Sequence, residues 1–397
     1  MKKDTSQKPI GLVKSTFISE ADTRRKLAQF VRSAPILSMG EQTSLFETSF
    51  AKKQGRDHAV FVNSGSSANL ILVQALLNLG KLKQNDHVGI SSITWATNVM
   101  PIIQLGLIPV AIDTSLQTLN VSPSTLAKQH ATTPLKALFL TNALGFCDNM
   151  NEIVRFCKKN KILLIEDNCE SLGSVVNGKL LGNFGLASTF SFFVAHHLST
   201  IEGGMVVTDD DTLHQELVKV RAHGWDRNLS SRSQKKLRKI HHVDPFFAKY
   251  SFYDLAYNVR STDIHAYLGN IQLPYWDTIV TNRAKNFSQF EIAMRKNPEL
   301  IVPEVGHMDI VSNFAMPIIA KDVKLFTKYR KRFQDNMVEI RPIIAGNIAD
   351  QPFYKKYSSQ SPENSNARFI HERGFYFTNS PELTVSEKSR LVSLLQP

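Results

Sequence analysis

From His58 onward, short apolar, β-branched runs alternate with longer amphipathic ones: AVFVN at 59–63 then SANLILVQALLNLG, HVGIS at 87–91 then TWATNVMPIIQLG, IPVAI at 108–112, LKALFL at 135–140 then Met150–Asn160, and ILLIED at 162–167. The short runs have strand length and the longer ones helix length, which is the β-α-β rhythm of a largely parallel sheet. Strands buried on both faces read as near-continuous apolar runs, as ILLI and ALFL do, and polar residues at their carboxyl ends then face a ligand. Asn63, Ser91, Asn142 and Asp167 occupy those ends.

After Ser188 the pattern changes: TFSFF and GGMVV predict differently oriented strands closing the sheet, followed by a helix over Thr212–Ala222. A further helix is predicted over Thr262–Trp276, with Thr262-Asp263 as its cap. Asn282–Arg295 reads as a long connecting helix, and MDIVSNFAMPII, VKLFTKYRKRFQDN and SEKSRLVSLL lie in a small lobe reading as strand, helix, strand and helix. The 397 residues exceed what one core usually organises. The expected division is an α/β large domain over 1–276, N-terminal segment included, and a small C-terminal α+β domain over 277–397.

Composition narrows the class. Apolar residues at 42% and charged residues at 21% belong to a folded globular chain and not a disordered one. The charged opening is followed only by the short apolar stretch Ile10–Val13, and no run approaches the roughly 18 residues of a spanning helix, so neither signal peptide nor membrane anchor is expected. Cys147, Cys157 and Cys169 lack metal-ligand spacing and suit a reducing cytoplasm. The net charge of +12 is unevenly spread, and +5 of it sits between Asp226 and Tyr250, where Arg227, Arg232, Lys235, Lys236, Arg238, Lys239 and Lys249 face only Asp226 and Asp244. Such a stretch draws anions. It lacks zinc-finger spacing, RNP aromatics and arginine-rich repetition, so nucleic acid is not expected; a phosphate-bearing small substrate and a merely solvated loop both fit.

Three segments carry candidate chemistry. Asn63-Ser64-Gly65-Ser66-Ser67-Ala68-Asn69 follows a strand and opens a helix, where small residues, free N–H groups and the helix dipole make either an anion cup or a plain cap. Ile165-Glu166-Asp167-Asn168-Cys169-Glu170 ends the most apolar strand, and a carboxylate there can pair with a protonated ring nitrogen, bind a metal or cap a helix. Ser191-Phe-Phe-Val-Ala-His196-His197 leads to Glu202-Gly203-Gly204, and adjacent histidines on extended chain point to opposite sides, so the two are not joint metal ligands.

Taken in order, with Trp95 between the first two, these segments resemble the pyridoxal phosphate-dependent sugar aminotransferases of the DegT/StrS type. The resemblance continues through Asn258-Val-Arg260-Ser-Thr-Asp263-Ile-His-Ala266, Gln272-Leu273 and Ile340-Arg341-Pro342, and covers most of residues 35–395. It implies an aspartate aminotransferase-like fold (fold type I). It also implies that Gly65, Ser66, Ser67 and Ser191 hold the cofactor phosphate, that Trp95 stacks on the pyridine, and that Asp167 pairs with the ring nitrogen. Glu170 stands where relatives carry His or Gln near the ring hydroxyl, and Asn258 would reach the phosphate of a neighbouring subunit, making a homodimer with shared active sites.

One departure is informative: His196 stands where the family has its Schiff-base lysine, six residues from Ser191 inclusive. An imidazole exchanges a proton near neutrality but cannot form an imine with an aldehyde. Pyridoxal or pyridoxamine phosphate is therefore expected to bind non-covalently. His196-His197 with Ser199–Gly204, Arg221-Ala-His223-Gly224-Trp225-Asp226-Arg227, Ala345-Gly346-Asn347 and Gln351-Pro352 resemble the histidine-bearing branch that removes the C3 hydroxyl of GDP-4-keto-6-deoxymannose on the colitose route. That branch implies L-glutamate as amino donor, ammonia release, His196 as catalytic base, and His223, Arg227, Arg260 and Arg341 as candidate substrate contacts. The iron–sulfur branch of 3-dehydrases is disfavoured because no cysteine follows Cys169. The alternatives are a true aminotransferase and a non-catalytic protein that binds the cofactor or a nucleotide sugar.

Overall fold

The computed structural model describes residues 8–358 and 363–397. Strands β1 (His58–Val62), β2 (His87–Ser91), β3 (Ile108–Ile112), β4 (Ala137–Thr141) and β5 (Leu163–Asp167) fall on the predicted runs. A short hairpin of β6 (Val175–Val176) and β7 (Lys179–Leu180) precedes β8 (Ala187–Ser191) and β9 (Gly204–Thr208). The main sheet has the order β1-β9-β8-β5-β4-β2-β3. Neighbours from β3 to β8 pair in parallel, and β9 reverses, antiparallel to both β8 and β1. The change of pattern after Ser188 thus comes from one inserted antiparallel strand.

Side-chain alternation along each strand supplies two buried faces. Phe139 and Ala111 join Ile71, Leu72 and Leu76 of the helix Gly65–Asn78 on one face. Leu138, Leu140, Val110 and Ile112 pack with Leu126, Met150 and Ile153 on the other. An aromatic cluster of Phe46, Phe50, Phe61, Phe190 and Phe192 ties the helix Glu41–Gln54 to β1 and β8. The Phe46 and Phe61 rings meet edge-on at 5.0 Å, and Phe190 and Phe192 bring the end of β8 into the same cluster.

The helix Trp276–Arg295 is one continuous element, longer than the pattern from Asn282 indicated, and Leu273-Pro274-Tyr275 separates it from the helix Asp263–Gln272. Thr262 caps the latter as expected, accepting from the His265 N–H. The C-terminal lobe carries a four-stranded antiparallel sheet of β10 (Leu300–Ile301), β11 (Ala315–Ala320), β12 (Ile340–Pro342) and β13 (Gly374–Thr378) in the order β10-β11-β13-β12.

The N-terminal segment, grouped by sequence with the large domain, is hydrogen-bonded to this small lobe. Ile10 N–H donates to Met337 O at 3.0 Å, Glu339 N–H donates to Ile10 O at 2.8 Å, and Ile10 is buried in the lobe's core. An isolated run as short as Ile10–Val13 has no periodicity with which to declare its partner. The basic stretch also differs from a plain loop: Ser231–Ile240 is a helix capped by Ser230, with no buried residue and with Arg238 paired to the buried Asp226 at 2.6 Å. Among the described residues no helix is long and apolar enough to cross a membrane.

Candidate active site

The carboxyl ends of β1, β2, β4, β5 and β8 converge on a cavity of about 390 Å³, which Phe314, Ile344 and Tyr376 of the C-terminal half close from the other side. Gly65, Ser66, Trp95, Asp167, Glu170, Ser191 and His196 all line it. Residues up to 131 apart in sequence are brought together because each follows a strand of one sheet.

At one end, Ser64 caps the helix Gly65–Asn78, accepting from Ser67 N–H at 3.1 Å. Ser66 and Ser191 line the cavity beside this helix N-terminus, whose free N–H groups and dipole favour an anion. Close packing explains the glycines. A Cβ on Gly204 of β9 would lie 2.2 Å from the Ser64 carbonyl oxygen, and one on Gly65 would lie 2.7 Å from Ser191 Cβ. Ser67 is not in the cavity lining; its hydroxyl accepts from Ser64 Oγ within the cap.

At the other end stands Asp167. Adjacent β5 side chains diverge: Glu166 turns away and accepts the N–H groups of Gly182, Phe184 and Gly185 at 2.9, 2.7 and 2.8 Å. Asp167 faces the cavity and accepts from Asn69 Nδ2 at 3.1 Å, Asn98 Nδ2 at 2.6 Å and Cys169 N–H at 2.9 Å. Sequence reasoning did not single out Asn98, and it met Asn69 only within the serine-rich turn. Asn69 lies four residues along the helix from Gly65, a spacing that returns to the same face, which is the one signal available.

Glu170 is buried in the same cavity. The Leu144 N–H donates to its Oε2 at 2.6 Å, and among the described residues no lysine or arginine lines the cavity. Burial, reinforced by the Asp167 charge, pushes its carboxyl up to about 8 despite the Leu144 bond. Glu170 is accordingly a neutral acid at pH 7, beside an Asp167 supplied with three donors. Trp95 forms a wall, 55% exposed at the mouth.

The two histidines diverge, in a turn after β8 in which the His196 N–H donates to Phe193 O at 2.8 Å, and not by the strand alternation expected. His197 is buried and bonded to Ser312 O at 2.8 Å, a packing role. His196 lines the cavity, its ring tilted against Phe314 at 5.2 Å with Nδ1 unpartnered. Burial lowers it to about 4, with Arg283 acting in the same direction and Asp167 opposing. It is a neutral imidazole at pH 7, able to accept a proton and, once charged, quick to return it.

The remaining candidates lie elsewhere. His223, Arg227 and Arg260 surround Trp225, with Arg227 at 4.0 Å and Arg260 at 5.5 Å from the ring centroid, and Arg260 Nε donates to Asn258 Oδ1 at 2.9 Å. None of these four, Asn258 included, lines this chain's cavity. Arg341 pairs with Glu339 at 2.6 Å and lines an adjoining cavity.

These features fit pyridoxal phosphate: a helix N-terminus with two serines for the phosphate, a three-donor carboxylate for the ring nitrogen, an indole beside the ring, and a buried imidazole nitrogen without a partner. Among the described residues no lysine lines the cavity to bind the cofactor covalently. The fold and site define a fold-type-I, cofactor-dependent protein. Residues 18–396 match the DegT/DnrJ/EryC1/StrS aminotransferase family, and the chain belongs to it. It is 34% identical over 366 residues to the GDP-4-keto-6-deoxy-D-mannose 3-dehydratase of Escherichia coli O55:H7, covering 90% of this chain and 92% of that protein. Two solved structures are similar throughout. GDP-4-keto-6-deoxymannose-3-dehydratase with a trapped PLP-glutamate geminal diamine has a TM-score of 0.89 at 32% identity, covering 98% of this chain and 100% of that one. A histidine-to-asparagine variant of that enzyme with bound GDP-perosamine has a TM-score of 0.89 at 31% identity and the same coverage.

Proposed function

We propose that this chain is a pyridoxal/pyridoxamine phosphate-dependent 3-dehydratase that removes the C3 hydroxyl of a nucleotide-linked 4-keto-6-deoxyhexose, GDP-4-keto-6-deoxymannose, with L-glutamate as amino donor and release of ammonia. The observation that carries this reading is an imidazole, and no primary amine among the described residues, at the centre of the cofactor-shaped cavity. The Escherichia coli relative and the two solved neighbours bear the same enzyme name, and the neighbours hold a glutamate adduct and a GDP-sugar.

When bound, the cofactor supplies an electron sink that makes the carbon attached to its ring acidic. Asp167, held by Asn69, Asn98 and the Cys169 N–H, would accept the ring N–H and keep that proton in place. Ser66, Ser191 and the helix N-terminus hold the phosphate end. Trp95 would orient the ring, and Glu170, kept protonated by burial, would offer it a hydrogen-bond donor. His196, the imidazole lining the cavity, would serve as the base for a proton at the carbon the cofactor acidifies and as the acid for the departing C3 hydroxyl, which would leave as water. The burial that lowers this imidazole weakens its hold on a proton, which would favour the second transfer at the expense of the first. Without a lysine, the covalent exchange that releases an amino sugar has no nucleophile, and loss of the hydroxyl is the open route.

Among the described residues of one chain no cation lines the cavity, although cofactor and substrate are both anionic. Asn258, Arg260, Arg227 and His223, gathered on the surface around Trp225, are assigned to the partner's cavity in a homodimer with shared sites. The enzyme would act in the cytoplasm, on a deoxysugar route to lipopolysaccharide O-antigen such as that of colitose. Incubation with pyridoxal phosphate, glutamate and GDP-4-keto-6-deoxymannose, followed by mass spectrometry, tests the activity. A product lighter by one oxygen, with ammonia released, supports it; exchange of the ketone for an amine identifies an aminotransferase, and unchanged substrate counts against both.

A further inference from the structure

In the reaction proposed above His196 handles the proton, yet one nitrogen of its ring is untethered. A histidine base is ordinarily oriented by a hydrogen bond at its second ring nitrogen, whereas Nδ1 of His196 is buried without a partner. Ring contacts take that place, with Phe193 edge-on at 6.3 Å and Phe314 tilted at 5.2 Å. Phe193 is 42% exposed and belongs to the same turn as His196, so it moves with the histidine. Phe314 reaches the ring from the C-terminal half and is the contact that can fix it from outside.

The segment Ser312-Asn313-Phe314 serves both histidines. Ser312 O accepts from His197 Nε2 at 2.8 Å, while the Phe314 ring packs on His196. What ties this segment down is Arg283, on the helix Trp276–Arg295 and 4% exposed. Its Nη1 is shared among the carbonyls of Asn313, Phe314 and Asn379 at 3.2, 2.8 and 3.0 Å. Asn379 Nδ2 completes the knot, donating to Arg283 O at 3.1 Å and to Asn313 O at 3.2 Å. Among the described residues no carboxylate pairs with the guanidinium, and burial draws it down to about 9, still charged at pH 7. A charged donor holds carbonyls more strongly than a neutral one, so this cation stiffens the main chain that carries Phe314. Arg283 does not itself line the cofactor cavity.

We propose that Arg283 is a positioning residue for the base: it fixes the segment Ser312–Phe314 and, through the Phe314 ring, sets the place and tilt of the His196 imidazole in the cofactor cavity. The same segment, through Ser312 O, keeps His197 turned away. This inference deepens the function proposed above and rests on it.

Two measurements on the full-length protein test it. In histidine-labelled protein followed by nuclear magnetic resonance, the His196 ring signal is the one lost in His196→Asn. In Arg283→Gln that signal and the one from His197 should shift or broaden while the other histidines keep theirs, and pyridoxal phosphate affinity should stay that of the wild type. Single-turnover dehydration started from pyridoxamine phosphate should slow by roughly tenfold or more in Arg283→Gln and in Phe314→Leu, because a misplaced base loses its alignment. The double variant should be no slower than the slower single one, since both changes act through one ring. If Arg283→Gln fails to fold by circular dichroism, Arg283→Lys takes its place in both measurements, keeping the charge but not the planar head that spans three carbonyls. An unmoved His196 signal in the folded variant, or rate losses that multiply in the double variant, would overturn the inference. Failure of the wild type to dehydrate would instead count against the enzyme reading, and the His196 signal would still decide the positioning role.

Discussion

Glu170→Gln isolates the electrostatics of the site from its chemistry. Glu170 is raised from 4.5 to about 8, chiefly by burial. Between those two values the folded chain keeps a proton that the unfolded chain has lost, so its stability falls as pH rises through this window and is fully present below it. Each pH unit crossed in that window removes about 1.36 kcal/mol, and the total is roughly 4–5 kcal/mol between pH 4 and pH 9. Partial access of water to the cavity reduces this to about 2–4 kcal/mol in practice. Glutamine preserves shape and cannot ionise. The cofactor-free variant should therefore melt with the wild type at pH 5 and about 2–5 °C above it at pH 8.5, from about 2.1 cal/mol/K per residue over 397 residues. The assay is thermal unfolding by circular dichroism across pH 5–9 in matched buffers. A difference that is constant with pH, or one favouring the wild type at pH 8.5, refutes the assignment of Glu170 as a neutral acid.

Three further outcomes are expected. Borohydride treatment of the wild type with pyridoxal phosphate should leave no pyridoxyl mass increment, whereas His196→Lys should gain one and lose dehydration; an adduct on a wild-type lysine contradicts the site geometry. Gly204→Ala should cost about 1–3 kcal/mol by forcing β9 away from the Ser64 carbonyl, and should weaken pyridoxal phosphate binding in a fluorescence titration; unchanged affinity would detach the glycine from the phosphate end. Equimolar mixing of Asn258→Asp and His196→Ala subunits, each inactive alone, should recover about a quarter of wild-type turnover, because about half of the dimers are then mixed and one of the two sites in each has both native residues; no recovery means that Asn258 serves its own subunit.

The residues themselves determined a good deal. Strands β1 to β5 announce themselves because a strand buried on both faces must be apolar along its length, and their carboxyl ends therefore named Asp167 and the serine-rich turn as facing a ligand. The separation of the adjacent histidines was legible too, His196 into the cavity and His197 onto Ser312 O, although a turn after β8 produces it and not the strand alternation expected. The replacement of an expected amine by an imidazole is chemistry that composition at one position decides. Tertiary structure decided the rest, since it depends on neighbours distant in the chain. The donors Asn69 and Asn98 meet Asp167 only after the sheet forms. Phe314, Ile344 and Tyr376 complete the cavity from the C-terminal half with no local signal. Ile10 joins the small lobe against its place in sequence. The neutrality of Glu170 and the uncompensated charge of Arg283 arise from burial, a property that no side chain carries by itself.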